Sequence, residues 1–282
     1  MLTMRQISFK RYKTELDYSY ALGMAPVVEL IGRRPDLIIG VYAHPSYKTG
    51  TGVSAGEGLN TGTGVSVGEG LNTGTGAGSI DIFQLCASRG LPCETNQKIF
   101  NITAEKENIY VIAAFRKERQ ELDGGLPHAV FVNPGDAGNL GTNIRTCLGF
   151  GIRDVAVITP GADVFSPKTV RASMGALFHI RAARFHTYAE YEARYPGHKK
   201  YAFMLDGAST LAEAADRRNR NDTKDPPKTP VSLIFGNEAT GLPAEFHSLC
   251  DSVRIPHAEA IDSLNLSVAV GIAANAFYSA MR

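Results

Sequence analysis

The chain has 282 residues, 44% of them apolar, with 29 Lys and Arg against 28 Asp and Glu for a formal charge of +1. That length suggests about two domains with enough apolar residues to bury a core. The near-neutral balance excludes a globally basic nucleic-acid binder, so such a partner would have to be held by local patches. The candidates are Arg33 with Arg34, Arg116 with Lys117 and Arg119, Arg181 with Arg184, His198 with Lys199 and Lys200, and Arg217 with Arg218 and Arg220.

The first twenty residues lack the apolar core of a secretory signal. "PDLIIGVYAHP" predicts a strand around 37–42. Then "TGTGVSAGEGLN" at 49–60 recurs as "TGTGVSVGEGLN" at 61–72, and residues 49–78 hold 11 of the 29 glycines. Two copies fall short of a stacked repeat, and this composition cannot offset the entropy of ordering. It is expected to be a low-complexity surface loop. "SIDIFQLCASRG" predicts a helix with Ile80, Phe83 and Ala87 on one face and Gly90 at its stop. "NIYVIAAF" predicts a strand at 108–115. The charged stretch 116–128 reads as a linker, leaving 1–115 as a small α/β domain.

From 129 onward strand-like and helix-like runs alternate. Strands are expected at 129–132, 154–159, 201–206, 231–235 and 252–255, and helices at 142–150, 167–176, 210–219, 243–249 and 263–281. Alternating units of this kind imply a parallel sheet covered on both faces. The last helix carries Leu264, Val268 and Ile272 on one side and Leu266, Val270 and Phe277 on another, so it should be buried on more than one side. No apolar run reaches the roughly 18 residues of a membrane span. Cys86, Cys93, Cys147 and Cys250 form no CxxC and no cluster with His, so reduced thiols, no metal and a cytoplasmic location are expected.

Three segments of this half end strands or follow them: "NPGDAGNLGTNIRTCLGFG", "LIFGNEATGL" and "IPHAEAIDSLNLSVA". Ligands of open α/β sheets bind at the carboxyl ends of strands, so one pocket could gather Asn139 and Arg145, Gly236 and Glu238, Ser263 and Asn265. The glycines of the first segment are spaced GxxGxxG, not the GxGxxG of a dinucleotide oxidoreductase, and no phosphate-binding lysine follows. The set holds no catalytic triad and no Cys–His pair. It suits a reaction in which the substrate brings the nucleophile and a cofactor the electrophile.

These segments resemble the three motifs of the SpoU/TrmH class of RNA ribose 2′-O-methyltransferases, in the SPOUT superfamily. "SPKTVRASMGALF" at 166–178 is similar to the stretch between the first two motifs. The resemblance spans about 128–282. It implies a parallel-sheet domain at 129–282 closed by a deep trefoil knot, with a small N-terminal α/β domain that binds substrate. It implies S-adenosylmethionine contacted at Gly236, Ile255 and Leu264, and a homodimer through the last helix. It implies methylation of a ribose 2′-hydroxyl in structured RNA, ribosomal RNA more than transfer RNA. A degenerate relative that binds RNA without methylating is the alternative.

By family position Arg145 is the central catalytic residue. A guanidinium effectively never gives up its proton in proteins. Gripping the adjacent phosphate and stabilising the developing alkoxide are therefore its expected tasks. Asn139 would orient Arg145 or the ribose, and Glu238 would hold the loop or pair with Arg145. Ser263 and Asn265 would bond the hydroxyl or hold the first loop. His257 and "AEA" stand where the family usually has Met and then a Gly.

Overall fold

The computed structural model describes residues 9–48, 80–103, 108–221 and 229–278. The tandem repeat expected as a loop at 49–78 lies outside them. The chain forms two compact units, one of residues 1–117 with 165–178, the other of 118–164 with 179–282. The segment 165–178 thus leaves the second unit, where its place in the sequence had put it, and packs with the first.

The first unit holds strands β1 (Tyr18–Leu22), β2 (Ile38–Ala43), β3 (Cys93–Thr95) and β4 (Val111–Arg116), and helices α1 (Met24–Arg33), α2 (Ile82–Ser88) and α3 (Gln97–Thr103). The sheet order is β1-β4-β2-β3, antiparallel except for the β2–β3 pair. Alternation sends Tyr18, Tyr20 and Leu22 to one face with Ile112 and Ala114, against Ile99 and Phe100 of α3. In α2 the buried residues are Ile82, Leu85 and Cys86, while Ile80 is exposed. The expected face of Ile80, Phe83 and Ala87 is therefore corrected. Asp81 caps the helix by accepting Phe83 N–H at 2.9 Å, so Ile80 stands outside it. Tyr47 Oη, which donates to Ile80 O and accepts Ile82 N–H, both at 3.2 Å, fastens the chain before the repeat to the chain after it. The segment 165–178 contributes α5 (Pro167–Ala172), capped by Ser166, and Phe178, which meets Phe115 edge-on at 5.2 Å.

The second unit is a seven-stranded sheet built from β5 (His128–Val132), β6 (Asp154–Ile158), β7 (Arg181–Phe185), β8 (Lys199–Phe203), β9 (Ser209–Thr210), β10 (Val231–Phe235) and β11 (Asp251–Arg254). Its order is β7-β6-β5-β10-β8-β11-β9, and every neighbouring pair is parallel. Helices α4 (Ala137–Gly149), α6 (Tyr188–Arg194), α7 (Leu211–Asn221), α8 (Phe246–Leu249) and α9 (Leu266–Tyr278) complete it. One face of the sheet, with Val130, Val132, Ala156, Ile158 and Ile234, packs on Tyr188 and Tyr191 of α6 and on Tyr195, which follows it. On the other, Phe131, Phe235 and Phe203 stack in turn, and Phe277 of α9 reaches Tyr201 at 4.7 Å. Among the described residues no helix is long and apolar enough to cross a membrane.

Several helix boundaries differ from expectation, two of them beside the expected motifs. α4 begins at 137, not 142, because Asp136 Oδ1 accepts Asn139 N–H at 2.8 Å and caps it. Gly138 and Gly141, which the expected start at 142 left outside, lie inside the helix. α9 begins at 266, not 263, because Asn265 Oδ1 accepts Ser267 N–H at 2.9 Å. Its buried side carries Val270, Ala273, Ala274 and Phe277, while Val268 and Ile272 remain 49% and 39% exposed.

Candidate functional site

Three adjacent strands, β10, β8 and β11, end together at one edge of the parallel sheet. The loops that leave them enclose a cavity of about 530 Å³. Its walls are Phe203–Asp206 after β8, Phe235–Leu242 after β10, and Ile255, His257, Ser263 and Leu264 after β11, with Leu266 and Ala269 of α9. Its size is that of an ordinary small-molecule site.

The β10 loop is shaped by its own backbone. Asn237 and Gly241 exchange hydrogen bonds at 3.2 and 2.9 Å, with Gly241 at φ +67°. This brings the chain back onto Gly236. A methyl at Gly236 would overlap Gly241 and the Leu242 nitrogen, so only glycine fits. The Asn237 side chain accepts from Ala239 N at 2.8 Å and Thr240 N at 3.3 Å, and donates to Asn133 O at 2.8 Å. It therefore ties the loop to the end of β5. Asn237 was not among the expected site residues. Its place between Gly236 and Glu238 was the available signal.

Glu238 joins the same two loops a second time. Its carboxylate accepts Gly135 N–H at 2.9 Å, Asp136 N–H at 3.4 Å and Asn139 Nδ2 at 3.2 Å. Burial acts to raise this carboxyl, but the N–H donors outweigh it and hold Glu238 below the ordinary carboxylate range. Of the two partners expected for Glu238, the structure shows the loop and not Arg145.

The other site residues are placed as follows. Gly236, Glu238, Ile255, Ser263 and Leu264 line the cavity. Asn139 reaches it through Glu238. Asn265 stands one residue beyond Leu264 and caps α9. Arg145 is exposed on α4, is not part of the cavity wall, and bonds to no described residue. His257 lines the cavity with Nδ1 at 2.9 Å from Ile255 O. A carbonyl only accepts, so Nδ1 carries the hydrogen and Nε2 of the neutral ring is an acceptor. The lining includes the acidic residues Asp206 and Glu238 and, among the described residues, neither Lys nor Arg. Among the described residues no cluster of His, Cys, Asp and Glu could hold a metal.

The sequence model of the SpoU rRNA Methylase family matches residues 127–275. The 23S rRNA (uridine(2479)-2'-O)-methyltransferase of Streptomyces viridochromogenes is 33% identical over 159 residues, 54% of this chain and 51% of that one. The 23S rRNA (guanosine(2553)-2'-O)-methyltransferase RlmP of Bacillus subtilis is 32% identical over 140 residues, 49% of this chain and 52% of that one. The matched stretch is thus about half the length of these curated relatives. The crystal structure of an AdoMet-bound rRNA methyltransferase from Sinorhizobium meliloti is similar at TM-score 0.63 and 26% identity, over 93% of this chain and 87% of that one. That of the SpoU methyltransferase AviRb from Streptomyces viridochromogenes shares the fold, at TM-score 0.66 and 18% identity over 93% of this chain and 89% of that one.

Proposed function

The chain belongs to the SpoU rRNA methylase family, and on that basis we propose that it methylates a ribose 2′-hydroxyl in structured RNA, ribosomal RNA above transfer RNA, with S-adenosylmethionine. The observation that carries this reading is the charge of the cavity. Two acidic residues in its lining and, among the described residues, no Lys or Arg suit a cofactor of net positive charge. The same wall would repel a dinucleotide pyrophosphate. Apolar Leu242, Leu264 and Leu266 offer contact for an adenosyl group, and the backbone at Gly236, Ile255 and Leu264 offers its polar edges.

Bound there, the cofactor supplies a methyl group whose departure leaves a neutral thioether. The residues of this chain do the rest. A 2′-hydroxyl is a weak nucleophile and must be aligned with the methyl and relieved of its proton. Arg145 faces solvent with its donors unspent, as a group meant for substrate would. Its planar fork grips the adjacent phosphate and stabilises the developing alkoxide. Ser263 positions the hydroxyl. Glu238 and Asn139 keep the first loop fixed to the cavity mouth, and Asn265 fixes the start of α9 beneath Leu264. His257 Nε2 offers the cavity an acceptor.

The finer architecture is part of the same reading. The loops after β10 and β11 form a deep trefoil knot around the cavity. The unit built on β1–β4 binds the RNA. The exposed Val268 and Ile272 of α9 meet a second copy in a homodimer. The protein works in the cytoplasm. Calorimetry with S-adenosylmethionine tests the cofactor. Mapping 2′-O-methyl positions in cells with and without the gene tests the reaction and identifies its target. A chain that binds no S-adenosylmethionine, or whose removal erases no methyl mark, refutes the reading.

A further inference from the structure

At the opposite edge of the parallel sheet from the cavity lies a closed chain of four side chains. His128 opens β5, Ser232 lies near the start of β10, His198 precedes β8, and Tyr191 comes from α6. His128, Tyr191 and Ser232 are 0% exposed and His198 is 6% exposed. His128 Nδ1 is 2.9 Å from Tyr191 Oη, Tyr191 Oη is 2.6 Å from Ser232 Oγ, and Ser232 Oγ is 2.9 Å from His198 Nδ1. The far nitrogens end on one turn. His128 Nε2 is 3.0 Å from Asp123 O, and His198 Nε2 is 3.0 Å from Gly124 O.

The hydrogens can be counted. A carbonyl oxygen only accepts, so both Nε2 atoms carry hydrogen, and in neutral rings both Nδ1 atoms are bare. Three links remain between them, and the two hydroxyls bring two hydrogens. With both rings neutral, one buried link has none. A single added proton completes the chain. Placed on His198, it sends Ser232 O–H to Tyr191 and Tyr191 O–H to His128. Placed on His128, it reverses every hydroxyl. A second proton would strand one hydroxyl hydrogen and set two cations side by side, since the ring centroids are 4.2 Å apart.

We propose that this buried chain is a binding site for one proton, shared by His128 and His198, and that filling it tightens the Asp123–Gly124 turn onto the sheet. A charged ring donates a stronger hydrogen bond than a neutral one, and both far nitrogens donate to that turn.

The surrounding charges pull in both directions. Asp154 on β6 favours the proton at both rings, and its carboxylate also accepts Asp123 N–H at 2.8 Å. Arg181 on β7, bonded to Asp154 at 2.7 and 2.6 Å, opposes it at His128. Lys200 on β8, tied to Glu192 of α6 at 2.9 Å, opposes it at His198. Tyr195, just after α6, meets His128 edge-on at 4.7 Å, and Cys250, after α8, acts on Tyr191 through its charge. Burial pushes His128 down to about 4, with repulsion from His198 adding to it, and pushes His198 down as well. At neutral pH the chain therefore stands one hydrogen short, and acid supplies it. The unfolded chain has two ordinary imidazoles and binds up to two protons over the same range. Folding stability therefore rises with pH from the folded values up to about 6.5.

Nitrogen NMR of the imidazoles in the full chain, from about pH 8 down to the onset of acid unfolding, tests this. The expected result is one transition in which both Nδ1 signals move together, each by about half of a full protonation shift. Tyr191→Phe and Ser232→Ala cut the chain, and in each the joint transition splits into separate steps at lower pH. Two independent full protonations in the unmodified chain overturn the proposal, as does no uptake before the chain unfolds in acid. A joint transition that persists in either variant also overturns it. If a variant does not fold, the proton count of the unmodified chain decides alone.

Discussion

The side-chain amide of Asn139 donates to the carboxylate of Glu238 at 3.2 Å, across 99 positions of sequence. This bond and its two backbone companions hold the loop before α4 against the loop after β10. Glu238→Gln keeps the shape but replaces one acceptor oxygen by a donor that faces other donors. Methyl transfer should fall by at least about tenfold, ~1.4 kcal/mol of barrier, while the far-ultraviolet dichroism of the protein stays unchanged. Full activity in the variant would remove Glu238 from the site.

The same carboxylate sets a pH dependence. Its folded value lies below the ordinary range because N–H donors favour the charged form over the opposing effect of burial. Its contribution to loop order is therefore complete above the ordinary carboxylate range and is lost as pH falls through the lowered folded value. Wild-type affinity for S-adenosylmethionine should fall through that window, and the Glu238→Gln protein should show no matching step. Titration calorimetry at several pH values measures both.

Arg145 is exposed and stands apart from the cavity wall. Arg145→Ala should abolish turnover yet leave affinity for S-adenosylmethionine within about twofold, well under the 1.4 kcal/mol of a tenfold change. Arg145→Lys should also be poor, because an ammonium lacks the planar fork. A loss of turnover smaller than about tenfold would show that another group acts on the substrate.

Gly236 is the point where the β10 loop folds back on itself. Gly236→Ala should cost about 1–3 kcal/mol of stability through overpacking and should weaken cofactor binding more than it lowers the melting temperature. Thermal melts with and without S-adenosylmethionine separate the two effects. An unchanged ligand-induced shift would mean that this loop does not touch the cofactor.

Tyr47 holds Ile80 and Ile82 directly, so the chain on either side of residues 49–79 meets without help from the residues between. Replacing 49–78 by a short flexible link should leave melting temperature and methyl transfer almost unchanged, because loop length affects closure entropy only slowly. A protein that fails to fold after this excision would assign the repeat a structural role.

Much of the second unit was legible because its signals are local. The apolar run "VSLIF" ended at a glycine where its strand ends, and Gly236, Ile255 and Leu264 line one cavity. The rest depended on distant pairing. β1 is a strand because it lies antiparallel to β4, some ninety residues later. The segment 165–178 carries good helix signals, yet nothing in it says which unit it will join. The first turn of α4 was hidden because two glycines suggested a loop, while the Asp136 cap and burial of Gly141 made a helix. His128 and His198 looked like unrelated residues until β5, β8 and β10 came together.

Strand β10 has only five residues and lies between β5 and β8, in register with both. Ser232 sits near its entrance and Gly236 just past its exit, a span of about 13 Å at roughly 3.3 Å per residue. A slip of one position would turn Ser232 away from His198 and Tyr191 and put a side chain where Gly236 must be bare. Two unrelated pieces of chemistry therefore share one alignment, and an error in threading this strand would disable both together.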